Sequence, residues 1–208
     1  MTSESGCPSE VKERLGLVQV YTGDGKGKTT CALGLAFRAV GCGLRVVMIQ
    51  FLKPAGGYGE QISASRTEGF EIVPMGVDHM DENVPLEMDL ELTRRAMDRS
   101  RDALTSGEYD LVILDEINNS MRFGHVTPSE VISMLESRAP HTEVVLTGRG
   151  APQEVLDYAD LVTEMRMVKH PMDRGVPARR GIEYRRGRTS EGRDGTAKSA
   201  TTVDLAFT

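Results

Sequence analysis

Residues 17–30, LVQVYTGDGKGKTT, decide the fold of this chain. The apolar run LVQV at residues 17–20 is typical of a buried strand. The glycines that follow allow backbone N–H groups to turn inward around phosphate oxygens. Lys28 adds a positive charge, and Thr29 offers a hydroxyl to a magnesium ion. The segment therefore predicts a strand, a triphosphate-binding loop and a helix, in that order.

The loop differs from the usual pattern at its first position, which is Thr22 instead of glycine. This difference indicates a variant loop and not that of an ordinary ATPase. The alternative, a glycine-rich turn with an incidental lysine, is disfavoured by the strand before it and the helical pattern after it. The loop pattern predicts that Gly23, Gly25, Gly27, Lys28 and Thr29 bind the nucleotide, with Asp24, Lys26 and Thr30 between and beside them.

The composition limits the class of protein. A chain of 208 residues suits one α/β domain. Its net charge of -6 and pI near 5.3 give no general attraction to nucleic acid or to an anionic membrane. Three cysteines without zinc spacing fit a reducing compartment. The polar first sixteen residues lack the apolar core of a signal peptide, and no run is long enough to span a bilayer. We therefore expect a cytoplasmic protein.

Strand and helix patterns alternate along the chain, which predicts a mostly parallel sheet with helices on both faces. Residues 185–208 are rich in Arg, Gly, Ser and Thr and are expected to form a loosely ordered tail, while residues 1–15 form a polar segment. The α/β domain is therefore expected over residues 16–184. After the first strand, further strands are expected at residues 45–51, 70–73, 111–116, 144–146 and 161–167, and helices at 30–40, just after 60, at 88–107, 128–137 and 154–159.

Ligands of such sheets bind beyond the carboxyl ends of the strands, so the residues that follow each apolar run are candidates. Asp115 and Glu116 close one strand and resemble a Walker B segment that would hold Mg²⁺ together with Thr29. Solvated strand-end acids are the alternative, which the phosphate loop in the same chain disfavours. Arg149 follows another strand and could reach a phosphate, although a plain turn explains it equally well. Residues 169–170, Lys-His, are an ordinary surface pair or a weaker candidate.

Several short motifs in a fixed order carry a resemblance to a known family. They are YTGDGKGKTT at 21–30, QFLK at 50–53, GE at 59–60, LDE at 114–116, TGRG at 147–150, VKH at 168–170 and GIEY at 181–184. Over about residues 16–184 the chain resembles the P-loop ATP:cob(I)alamin (corrinoid) adenosyltransferases, whose own loop has the variant first position. The resemblance implies a recombinase-like P-loop NTPase fold, a homodimer, and ATP bound in reversed orientation.

The resemblance also implies a reaction and roles for residues. Cobalt(I) of a corrinoid attacks the 5′ carbon of ATP and triphosphate leaves, in adenosylcobalamin biosynthesis or salvage, with a reductase supplying electrons to cobalt. No general base is needed, since cobalt(I) carries no proton. The backbone of residues 23–27, with Lys28, Thr30 and Arg149, would hold the triphosphate, and Lys26 would add charge nearby. Thr29 and Glu116 would hold Mg²⁺, with Asp115 orienting them. The catalytic residues are thus expected to be Lys28, Glu116 and Arg149.

One segment departs from the family pattern. Many members have Phe and, two residues later, Trp against the lower face of the corrin, where this chain has Val77 and His79. Val77 can still exclude water because it is apolar, and His79 is either a cobalt ligand or an exposed loop residue. Two other functions stay open from sequence: a P-loop NTPase that hydrolyses or transfers the γ-phosphate, and a non-catalytic carrier of corrinoid and nucleotide.

Overall fold

A computed structural model describes residues 9–56, 58–77 and 86–182. Its centre is a six-stranded sheet in which every strand pairing is parallel. The strands are β1 (Val18–Thr22), β2 (Val46–Gln50), β3 (Phe70–Pro74), β4 (Leu111–Asp115), β5 (Glu143–Thr147) and β6 (Leu161–Glu164). They lie in the order β3-β2-β4-β5-β1-β6, so all six carboxyl ends meet at one edge.

Seven α-helices occur in the part of the chain that the structure describes. They are α1 (Ser9–Lys12), α2 (Lys28–Gly41), α3 (Gly59–Ala64), α4 (Leu86–Thr105), α5 (Ile117–Arg122), α6 (Pro128–Glu136) and α7 (Gln153–Tyr158), followed by a 3₁₀ turn at Pro171–Arg174. The capping box predicted by the TPSE sequence at residues 127–130 is present: the Thr127 side chain accepts from the Glu130 N–H, and the Glu130 carboxylate accepts from the Thr127 N–H.

The two faces of the sheet bury separate apolar clusters. Ala32 and Ala36 of α2 pack against one face, where β2 contributes Val46 and Met48. On the other face, α4 and α6 pack against the alternate residues of the same strands, such as Val112 and Leu114 of β4. Alternation of side chains along a strand thus places consecutive apolar residues in two cores. The predicted α/β fold with helices on both faces is confirmed.

Several predicted boundaries were wrong. Helix α2 begins at Lys28 instead of residue 30, since the glycine at its N-cap has the positive φ of 127° that ends the loop. Strand β6 ends at Glu164 instead of residue 167, because the chain then bends over the phosphate loop, where Met165 O accepts from the Gly25 N–H at 2.6 Å. Helix α5 was not predicted at all. It begins directly after Glu116, whose φ of 68° turns the chain out of β4.

The ends of the chain are described only in part. Residues 9–12 of the predicted polar N-terminal segment form α1. The predicted tail at 185–208 lies outside the described residues, as do residues 183–184 of the GIEY motif. No helix among the described residues is long and apolar enough to cross a membrane.

Candidate active site

The phosphate loop joins β1 to α2 at the carboxyl edge of the sheet. Gly23 and Gly27 have φ values of 94° and 127°, which residues with a Cβ rarely adopt. A Cβ on Gly23 would also lie 2.5 Å from the carbonyl oxygen of Met165, and one on Gly25 would lie 2.7 Å from it. Glycine is therefore required at both positions by the chain that follows β6. The N-terminus of α2 has no side-chain cap, so its first N–H groups are available to an anion.

Lys28 lies inside this loop and is almost fully buried. Its Nζ donates to the carbonyl oxygens of Gly23 at 2.6 Å and Gly25 at 2.8 Å. Burial and the nearby charge of Arg149 lower its pKa, while Glu116 and Asp24 act in the opposite direction. An ammonium has three N–H donors, so one remains for a ligand while the other two fix the loop.

Asp115 ends β4 and is fully buried beside the loop. Its Oδ1 accepts from the hydroxyls of Thr29 at 2.8 Å and Thr147 at 2.7 Å. Its Oδ2 accepts from Lys53 Nζ at 2.9 Å and Gln50 Nε2 at 3.2 Å. Burial by itself would raise the pKa of Asp115, but the charge of Lys53 and the hydrogen bonds of Lys53, Thr147 and Thr29 outweigh it, so the pKa is lowered. The carboxylate is therefore ionised, with both oxygens occupied by donors.

Glu116, the next residue, has a different environment. Its backbone N–H donates to Thr147 Oγ1 at 3.0 Å, and its left-handed conformation turns the side chain away from the sheet, where it lines a cavity. Burial and the neighbouring charge of Asp115 raise the pKa of Glu116. A carboxylate with this surplus of negative charge is stabilised by a cation. Asp115 and Glu116 are therefore not equivalent, because only the second faces the cavity.

Arg149 reaches the loop from the turn after β5. One Nη atom lies 3.3 Å from the carbonyl oxygen of Asp24, and the Arg149 N–H donates to Asn119 Oδ1. Gly148 has a φ of 130°, and a Cβ there would lie 2.9 Å from Asn119 Oδ1 and from its backbone nitrogen. The glycine is thus needed for the close approach of α5, and Asn119 fixes the direction in which Arg149 leaves its turn.

A cavity of about 1200 Å³ lies above these groups at the carboxyl edge of the sheet. This volume exceeds the roughly 300–1,000 Å³ of a site for one small ligand. The polar side is formed by Asp24, Gly25, Lys26, Gly27, Lys28, Thr29, Thr30, Lys53, Glu60, Glu116 and Arg149. The apolar side is formed by Leu33, Phe37, Val40, Ala64, Phe70, Met167, Met172, Val176 and Ile182. The cavity therefore offers a charged end and an apolar wall to two different chemical groups.

The structure brings most of the predicted site residues together. The loop residues from Asp24 to Thr30, Glu116 and Arg149 line one cavity, and Gly23 and Asp115 lie directly behind it. His170 also lines the cavity, while its Nδ1 accepts from the Met172 N–H and caps the 3₁₀ turn. Val77 is half-buried after β3 and is not among the lining residues, and His79 lies outside the described residues. Their contact with corrinoid stays a prediction.

Sequence reasoning gave no role to Lys53. Its side chain is only 17% exposed and forms an ion pair with Asp115, with Glu60 Oε1 a further 3.3 Å contact. Burial lowers the pKa of Lys53, but the charges of Asp115 and Glu60 outweigh this and raise it above the ordinary value. Lys53 and its partner Glu60 lie in the QFLK and GE motifs, so the sequence did mark both residues. It gave no role because Lys53 and Asp115 are 62 residues apart in the sequence.

Comparison with known proteins shows the family of this chain. Residues 14–184 match the model of the family described as ATP:corrinoid adenosyltransferase BtuR/CobO/CobP. The corrinoid adenosyltransferase CobA of Salmonella typhimurium is 38% identical over 176 residues, which cover 85% of this chain and 89% of that protein. A corrinoid adenosyltransferase of Escherichia coli K12 is 35% identical over the same shares, and one of a Sinorhizobium species is 34% identical over 81% of this chain and 80% of that protein. The chain therefore belongs to the ATP:corrinoid adenosyltransferase family.

Proposed function

We propose that the phosphate loop of this corrinoid adenosyltransferase holds the triphosphate of ATP, while the apolar wall of the same cavity receives the corrinoid. The observation that supports this most directly is that one cavity of about 1200 Å³ is lined both by loop residues 24–30 and by Phe37, Met167 and Met172. A charged end suits the triphosphate, and an apolar wall suits a large macrocycle. Both substrates of an adenosyl transfer thus fit one site.

The reaction forms a cobalt–carbon bond and breaks a carbon–oxygen bond. The electron pair of cobalt(I) attacks the 5′ carbon of ATP, and the pair of the broken bond leaves with the triphosphate. No proton is moved, so the site needs no general base. Catalysis then requires alignment of the two reacting atoms and neutralisation of the leaving group. Residues that carry positive charge at the loop are the ones that matter most.

Lys28 and Arg149 provide that charge. Both side chains converge on the loop, where Lys28 binds the carbonyl oxygens of Gly23 and Gly25 and Arg149 lies beside Asp24 O. We assign the remaining N–H of Lys28 and the guanidinium of Arg149 to the triphosphate oxygens. Thr30 and Lys26 line the same end of the cavity and are assigned to the same ligand.

The oxygen ligands of the site fit Mg²⁺. Thr29 Oγ1 donates its proton to Asp115 and so presents its oxygen lone pairs to the cavity, and Glu116 adds a carboxylate. No cluster of three or more His, Cys, Asp or Glu side chains suited to a metal occurs among the described residues. Mg²⁺ is commonly bound by one or two protein oxygens together with phosphates and water. It would supply charge neutralisation to the triphosphate here, with Asp115 orienting Thr29.

Three finer features belong to the same proposal. A homodimer is supported by an exposed apolar side chain away from the cavity lining, since Val168 is 93% exposed. A reductase partner follows from the requirement for cobalt(I). A cytoplasmic location is supported by Cys31 and Cys42, which are both free thiols.

Corrinoid binding by Val77 and His79 is proposed on the resemblance alone. Val77 would keep water and the lower ligand away from cobalt because it is apolar. If His79 ligates cobalt, His79→Ala will change the visible spectrum of bound cobalt(II) corrinoid, and identical spectra exclude that role.

An anaerobic assay tests the proposed function. The full chain is mixed with Mg-ATP and chemically reduced cobalamin, and the product is followed by its spectrum and by chromatography. We expect adenosylcobalamin in an amount that depends on both substrates. Release of phosphate without adenosylcobalamin would indicate a P-loop NTPase instead. Binding of both substrates without any product would indicate a carrier.

A further inference from the structure

Lys53 is largely buried beside the proposed metal site, yet the adenosyl transfer described above gives it no role. It follows β2 by three residues, and its Nζ lies 2.9 Å from Asp115 Oδ2 on the side of the carboxylate opposite Thr29. Glu60 Oε1, in the first turn of α3, lies 3.3 Å from the same Nζ. Lys53 is thus held between two acids at the polar end of the cavity.

Asp115 depends on this lysine for its charge balance. The carboxylate is fully buried, and its other three donors, Thr29, Thr147 and Gln50, are neutral. Removing one member of a buried ion pair leaves an uncompensated charge, and the surrounding groups move in response. Such a movement of the Asp115 carboxylate would disturb its hydrogen bond with the Thr29 hydroxyl at Oδ1.

Lys53 is itself held in one geometry. Gln50 Nε2 lies 3.2 Å from Asp115 Oδ2 and 3.4 Å from Glu60 Oε1, so the amide joins both acids that Lys53 contacts. The Gly76 N–H also donates to the Lys53 carbonyl at 3.1 Å, which fixes the backbone to the end of β3. These contacts place the ammonium with little freedom.

We propose that Lys53 is a positioning residue that acts through Asp115 to keep the Thr29 hydroxyl in place for Mg²⁺ bound with ATP. The proposal rests on the metal site proposed above and adds a residue to it. Lys53 does not touch the metal. It holds the Asp115 carboxylate in one orientation, and Asp115 in turn fixes the proton and lone pairs of the Thr29 hydroxyl.

The test is calorimetric binding of ATP to the full chain, with Mg²⁺ and with a chelator, which needs no corrinoid. For the wild type we expect tighter binding with Mg²⁺. Lys53→Met should lose roughly 10-fold or more of that gain, the size seen when partners of metal ligands are removed. Lys53→Arg should retain most of it, because the charge is kept. Lys12→Met is the matched control, since Lys12 pairs with Asp110 at the other end of β4.

Two further variants keep the test decisive if Lys53→Met folds poorly. Asp115→Asn and Lys53→Met/Asp115→Asn both remove the buried charge at residue 115, and both should show the same reduced gain if Lys53 acts only through Asp115. Additive losses overturn the proposal. So does an unchanged Mg²⁺ gain in Lys53→Met, or an equal loss of ATP affinity with and without Mg²⁺, which would place Lys53 on the phosphates. A wild type that fails to bind ATP would instead contradict the proposed function.

Discussion

The two ends of β4 carry the same pair of residue types and use them differently. At the amino end Asp110 pairs with Lys12, whose side chain is 44% exposed, and Asp110 Oδ2 also accepts from the Arg45 backbone N–H. At the carboxyl end Asp115 pairs with Lys53, which is 17% exposed, and the other donors to Asp115 are side chains that surround the cavity. The Asp110 carboxylate thus stabilises the backbone, whereas the Asp115 carboxylate orders the side chains around the cavity.

The neighbouring strands show the same contrast. At the amino edge Glu143 Oε2 accepts from the backbone N–H groups of Gly16 and Leu17, and Asp160 Oδ2 accepts from that of Val18. At the carboxyl edge Glu116 faces the cavity, and no described residue donates a hydrogen bond to its carboxylate. Acids whose oxygens accept from the backbone have a structural role, whereas an acid whose carboxylate has no hydrogen-bond donor is available to a ligand. The acids at the amino edge of the sheet therefore contribute to stability, whereas Glu116 at the carboxyl edge is free to contribute to function.

The largest expected effect is at the phosphate loop. Lys28→Ala should lower the rate of adenosyl transfer about 100-fold or more, because it removes a charge that stabilises the leaving triphosphate. The measurement is the initial rate with reduced cobalamin, with circular dichroism to show that the fold is kept. Lys12→Ala at the opposite edge serves as control and should be close to wild type. Near-normal turnover of Lys28→Ala would remove Lys28 from the site.

Glu116→Gln should have the next largest effect. Loss of the carboxylate charge is expected to raise the Mg²⁺ concentration needed for half-maximal activity roughly 10-fold, at saturating ATP. A titration of activity against Mg²⁺ measures it. An unchanged metal requirement would show that Glu116 does not contact the metal.

At the amino edge the effect should be on stability instead. Glu143 accepts from two backbone N–H groups and from Gln19 Nε2, so Glu143→Gln leaves partly buried donors without a full set of partners. We expect a loss of about 1–3 kcal/mol in the free energy of unfolding, measured in urea, with the rate of transfer at 25 °C within about twofold of wild type. A strong loss of activity without loss of stability would show that Glu143 contributes to function, and the contrast between the two edges would be wrong.

The smallest effect is expected at a helix cap outside both edges. Thr127 accepts from the Glu130 N–H at the start of α6, and the pair forms a capping box on the surface. Thr127→Ala should cost about 1 kcal/mol of unfolding free energy and leave activity unchanged. Thr127→Ser, which keeps the hydroxyl, is the control and should be nearly neutral. Equal losses in both variants would mean that the hydroxyl is not what stabilises the helix.

Local patterns explain why much of the molecule was predictable from sequence. The loop, β4 and the capping box are each encoded within about ten residues, and the alternation of strands and helices fixes a parallel sheet. Helix α5 was missed because it is short and begins after a residue in a left-handed conformation. The end of β6 and the role of Lys53 depend on contacts with Gly25 and Asp115, which are distant in sequence. The local periodicity of a sequence carries no information about contacts between residues so far apart.

We infer that this enzyme breaks the bond between the 5′ carbon and oxygen of ATP while the phosphate loop holds the leaving triphosphate. The most direct measurement uses an ATP analogue whose β,γ bridge cannot be hydrolysed, together with pre-reduced cobalamin under anaerobic conditions. We expect adenosylcobalamin and an equal amount of the intact triphosphate analogue. No transfer from the analogue, alongside release of phosphate from ATP, would contradict it.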